Sequence, residues 1–143
     1  MKLFAVIATA IFLVISGVAT KTFYDNSQAQ KQEKAAEAVR QESYRAAIKT
    51  ALANRAASEK DCWITGGDPR FDATLFCHKI RLIDVSPCPT EFKTAWFDYL
   101  WVWATTPKLS STEVDNLRYN ALRTCQRVAV QYGVWEPAAV PVF

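Results

Sequence analysis

Residues 86–105 read SPCPTEFKTAWFDYLWVWAT, and this stretch decides the fold. Pro87 and Pro89 suit a first helical turn, and Glu91 complements the positive end of a helix dipole. Pro107 cannot continue a helix, so the spacing predicts one from Thr90 to about Thr105. Phe92, Ala95, Trp96, Tyr99, Leu100 and Trp103 recur at i, i+3, i+4, i+7, as core-facing residues do. Phe97 and Trp101, four residues apart, fall on the opposite side. A helix apolar all round is either buried on both sides or carries an interface. The plainer reading is a second packing layer over Phe97 and Trp101, supplied by residues 62–85 or by the tail around Trp135. The functional reading is a surface of Phe97, Trp101 and Trp135 that takes a protein, a peptide, a glycan or a membrane, since Trp and Tyr favour such boundaries.

The segment after it predicts the most secure helix. Ser110-x-x-Glu113 reads as a capping box, and Gly133 as a C-terminal stop. Between them Val114, Leu117, Ala121, Leu122, Cys125, Val128, Ala129 and Tyr132 make one apolar stripe, with Arg118, Arg123 and Arg127 off it. Before residue 86 the signals are weaker. Gly66-Gly67-Asp68-Pro69 marks a turn. Arg70–His78 suits a short helix with Phe71, Leu75 and Cys77 inward. Lys79–Val85 alternates apolar and charged residues, as an extended segment does.

Towards the N-terminus the composition changes. Residues 21–60 hold no Gly or Pro and eight Lys or Arg against five Asp or Glu, so a helical stalk is expected. Tyr44, Ile48 and Leu52 share one face, which is thin for a coiled coil; a homodimer through the stalk is the sharper alternative. Leu3–Thr20 is an uncharged, mostly aliphatic run between Lys2 and Lys21. As a helix it would be about 27 Å long, near the ~30 Å of a hydrocarbon core. Residues 1–20 thus read as a signal-anchor in the inner (plasma) membrane, or as a signal peptide cleaved near Ala19. Both place residues 21–143 outside the cytoplasm.

The four cysteines, Cys62, Cys77, Cys88 and Cys125, all follow that run, and an even number in an exported domain suggests disulfides. Spacings of 15, 11 and 37 residues do not suit a zinc site. The expected pairs are Cys62–Cys77 and Cys88–Cys125, which would brace a small core. No CxxC motif supports thiol catalysis.

The whole chain has 143 residues, one histidine and a net charge of +3, which argues against a strongly basic nucleic-acid binder. Residues 62–143 balance at eight basic and eight acidic side chains, so no electrostatic target stands out. Glycine-rich phosphate loops, HExxH and GxSxG are absent from the sequence. His78 reads as a surface or hydrogen-bonding residue. Asp68, Asp72, Asp84, Glu91 and Asp98 show no spacing that marks a catalytic pair. No catalytic residue, cofactor or metal ligand is therefore assigned.

The overall plan is similar to that of the inner-membrane spanins of phages, with an N-terminal anchor, a helical stalk and an outer C-terminal region with cysteines. The resemblance covers organisation alone, and the Trp-rich helix departs from it. What the sequence predicts is a mainly α protein: residues 1–20 an anchor, 21–60 a stalk, and 61–143 a small disulfide-tied helical domain. The expected role is a non-catalytic interaction or accessory subunit whose partners are the membrane and another envelope protein. A small envelope hydrolase and a spanin-like envelope protein are the alternatives.

Overall fold

The structure, a computed structural model, describes residues 2–64, 70–106 and 111–134. Side chains are described from Tyr24 onward within these ranges, except that of Ile64. The chain is mainly helical: α1 (Lys2–Asp61), α2 (Ala73–Arg81), α3 (Thr90–Thr105) and α4 (Thr112–Gln131), with an antiparallel pair of two-residue strands, β1 (Trp63–Ile64) and β2 (Arg70–Phe71). In register, Trp63 faces Phe71 and Ile64 faces Arg70. The chain divides into two units, Met1–Arg40 and Gln41–Phe143.

In the first unit no described side chain is buried, and Tyr24 and Val39 stand out in solvent. Its Arg40–Glu37 ion pair, 3.1 Å, is exposed and contributes little. Among the described residues no helix is long and apolar enough to cross a membrane. The side chains of Leu3–Thr20, on which the anchor expectation rests, lie outside the described residues.

The second unit is built on α3, whose boundaries coincide with the predicted ones. Phe92, Trp96, Tyr99 and Trp103 are all buried. Their rings touch in sequence, Phe92 stacking on Trp96 at 6.0 Å and Trp96 leaning on Tyr99 at 5.6 Å. Phe76 of α2 meets Trp103 edge-on at 4.7 Å. Helix α4 runs back along α3, so that Tyr132 at its end donates a hydrogen bond to Glu91 at the start of α3 (3.1 Å). The C-terminal part of α1 completes the core with Ile48, Ala51 and Leu52. Each fully buried Ile or Leu contributes about 1.5–3 kcal/mol. The compact unit thus begins at Gln41, and residues 41–60, expected as stalk, are part of it.

Two arginines are buried. Arg55 donates from Nε to the Tyr99 hydroxyl (3.1 Å) and pairs with Glu59 (2.7 Å), while its guanidinium lies over the Phe76 and Tyr99 rings. Burial alone disfavours its charge, but Tyr99 and Glu59 outweigh burial and hold its pKa above the ordinary value. Arg118, expected off the apolar stripe, lies inside it. Its guanidinium sits 4.2 Å from the centre of the Trp103 ring, donates to the Thr106 hydroxyl and carbonyl, and meets Asp115. Leu117, expected inside, is exposed instead. A guanidinium can face into the core there because Trp103 offers a π face and the end of α3 offers free carbonyl oxygen.

Other expectations are corrected. Residues 79–81 are not extended: α2 continues to Arg81, because Asp72 caps its start by accepting from Leu75 N (2.9 Å) and Phe76, Cys77 and Ile80 form one buried face. Leu75 and Leu82 are exposed. The N-cap of α4 is Ser111, which accepts from Val114 N, rather than Ser110. Neither Cys62–Cys77 nor Cys88–Cys125 is bonded; all four cysteines are free and buried. They fill the core as small apolar side chains. The help expected from disulfides comes from the end of α1, which enlarges the core beyond residues 62–143.

The end of α4 is closed by α1. Gly133 has φ +72°, and Arg45 donates from Nε to the Tyr132 carbonyl (3.2 Å). A Cβ at position 133 would come within 2.9 Å of the Arg45 guanidinium. Gly133→Ala should therefore cost about 1–2 kcal/mol from the left-handed backbone alone. Urea unfolding measures it, and an unchanged midpoint would show that this turn does not limit stability.

Candidate interaction surface

Helix α3 buries one face, and among the described residues none covers the other. Phe97 is 59% exposed and Trp101 68% exposed, although both are large apolar side chains. They stand there because 97 and 101 lie about half a turn around the helix from Tyr99, which is fully buried. Thr90, Thr94 and Thr105 extend the same exposed face. The hydroxyl of Thr94 donates to the Thr90 carbonyl (3.1 Å), and that of Thr105 to the Trp101 carbonyl (2.9 Å). Those hydroxyls are satisfied by the helix itself, so the face is less polar than its threonines imply. Asp98 is exposed on one flank and Lys93 half-buried on the other.

The structure thus brings Phe97 and Trp101 together, as the sequence predicts. Trp135 lies outside the described residues, as does Asp68. Residues 73–82 pack on the Trp103 side of α3 and do not bury Phe97 and Trp101, while Leu75 is 40% and Leu82 73% exposed. Of the residues expected inward, Cys77 is buried and Phe71 packs against the core, but the buried face of α2 is Phe76, Cys77 and Ile80, and Leu75 falls outside it.

The remaining candidates are occupied by structural tasks. Asp72 caps α2, Asp84 accepts from Ser86 N (2.8 Å), and Glu91 accepts from Tyr132. His78 is exposed. No group of His, Cys, Asp and Glu that could hold a metal ion occurs among the described residues. Three of the thiols are poor nucleophiles. Burial raises Cys62, pushes Cys88 up to about 11 and pushes Cys125 up to about 12.

No family model matches this chain, and no curated protein or solved structure matches it either.

The raised thiols set an alkaline limit. A group whose pKa is higher in the folded state stabilises the fold below its unfolded value, and that contribution is lost as pH rises through the folded value. For Cys88 and Cys125 the window runs from 9.0 to about 11 and about 12. Melting temperature should fall across this range, and Cys125→Ala should flatten the fall. At pH 8 the native protein should react slowly with a thiol reagent and release four equivalents only on denaturation. Rapid reaction of the folded chain would contradict the buried placement.

Proposed function

We propose that this chain is a non-catalytic interaction subunit held at a membrane by its first twenty residues, with residues 21–143 outside the cytoplasm. The observation that supports a binding role is the exposed pair Phe97 and Trp101, set on a helix whose other face is packed. Large apolar side chains scattered singly on a surface are ordinary; two adjacent aromatics on one rigid helix form an anchor of the kind that dominates protein interfaces. The apolar run Leu3–Thr20 supports the membrane placement. Four free thiols do not add to it, since cysteine pairing is what an oxidising compartment would favour. The partner fitting this reading is another envelope protein.

Two measurements test it. Intact mass of the chain recovered from membranes should equal that of all 143 residues; loss of residues 1–19 would make the protein a secreted one. A photo-crosslinking residue at 101 should yield a discrete adduct in cells, and one at the exposed position 120 should not. Equal adduct patterns at both positions would overturn the role of this face. Phe97→Ala and Trp101→Ala should shift stability by no more than about 0.5 kcal/mol, as surface substitutions do, while removing the adduct partner. Unfolding of either variant would mean that the face is core.

A further inference from the structure

We propose that a second copy of this chain covers Phe97 and Trp101, in a parallel two-fold pair of α3 helices. This rests on reading that face as an interaction surface, and it names the partner. The exposed residues Thr90, Thr94, Phe97 and Trp101, with the half-buried Ala104, are spaced 4, 3, 4, 3. That is the a/d seam of a coiled coil, with Thr94 and Trp101 at a and Thr90, Phe97 and Ala104 at d. Phe92, Ala95, Trp96, Tyr99 and Trp103 take positions f, b and c and face their own domain, where all are buried. Thr90, Thr94, Phe97 and Trp101 of the seam stand clear of the intramolecular core.

The flanking charges choose the orientation. Lys93 falls at g and Asp98 at e, five residues later. In a parallel pair, g of one helix meets e of the next heptad on its partner, so Lys93 faces Asp98 of the second copy, twice by symmetry. In an antiparallel pair g meets g and e meets e, which sets lysine against lysine and aspartate against aspartate. Among the described residues neither Lys93 nor Asp98 forms an ion pair within the chain. The seam spans little more than two heptads. Its two aromatics, each about 150–250 Å² in full, cannot reach the ~1,200–2,000 Å² of a stable interface by themselves. The pair is therefore weak in dilute solution and favoured where chains are held close together, as in one membrane.

The test uses the full chain in detergent or in vesicles. Sedimentation over a concentration series should show a reversible monomer–dimer equilibrium. Lys93→Glu and Asp98→Lys should each weaken it several-fold, and the double exchange should restore it, which a merely structural role would not produce. Thr94→Cys should crosslink to itself on mild oxidation, because a faces a across a parallel pair. In an antiparallel pair centred between Phe97 and Trp101 the two would be about 15 Å apart. Wild type, whose cysteines are buried, serves as the control.

A chain that stays monomeric at all concentrations and in vesicles overturns the proposal, as does a dimer indifferent to the charge exchanges. A dimer that appears only after residues 135–143 are removed also overturns it, since the tail would then be the natural occupant. If the chain is monomeric yet the crosslinked adduct at position 101 is a different protein, the pairing fails and the interaction role stands. If neither dimer nor adduct depends on Phe97 and Trp101, both fail.

Discussion

The buried charge of Arg55 is the constraint on which the second unit depends. Taking a guanidinium out of water costs several kcal/mol, and only well-placed partners offset it. Glu59, one turn along α1, supplies the counter-charge, and the Tyr99 hydroxyl accepts the second donor. Tyr99 sits at the middle of the packed face of α3. The pairing therefore fixes α1 against α3 both along and around the helix, a registry that aliphatic contacts alone would leave looser. Leu52 and Ile48 then fall one and two turns before Arg55, inside the core rather than along a stalk. A second arginine, Arg118, performs the same service at the other end of α3, against Trp103 and Thr106.

The aromatic helix was legible in the sequence because two independent signals agreed. Prolines bracket it, and its apolar residues keep a 3.6 period. The last helix was legible for the same reason, apart from Arg118. Periodicity treats arginine as polar and puts it outward, but a guanidinium with a ring, a carbonyl and a carboxylate within reach can lie in a core. The short α2 was misread because Ile80 and Leu82 alternate with Lys79 and Arg81 over too few residues to separate a strand from a helix end. What decides it is Asp72, which caps a helix only if the chain turns there. The boundary between stalk and domain was hidden for a related reason. Tyr44, Ile48 and Leu52 are a sparse stripe, and nothing local says that aromatic residues forty positions later will cover it. Exposure of Phe97 and Trp101 was half legible, since the pattern put them opposite the core face but could not say what covers that side.

The free thiols change the account of stability. A domain of residues 62–143 alone would be small, and cross-links were the natural supplement. By recruiting the end of α1, the chain instead gains buried aliphatic side chains and a paired arginine, and its cysteines become packing material. Stability then comes from helices that meet across long stretches of sequence, among them the end of α1 on α3.

That docking also orders events in time. The hydrogen bond from Arg45 to the Tyr132 carbonyl joins residues 87 positions apart. At synthesis rates of ~5–20 residues per second, the ribosome needs about 4–17 s to travel from one to the other. The stripe of Ile48 and Leu52 lacks its aromatic partners until α3 is made, and the contact between Arg45 and Tyr132 forms only after α4 is complete. The fold is therefore completed late in synthesis, when its last helix is made.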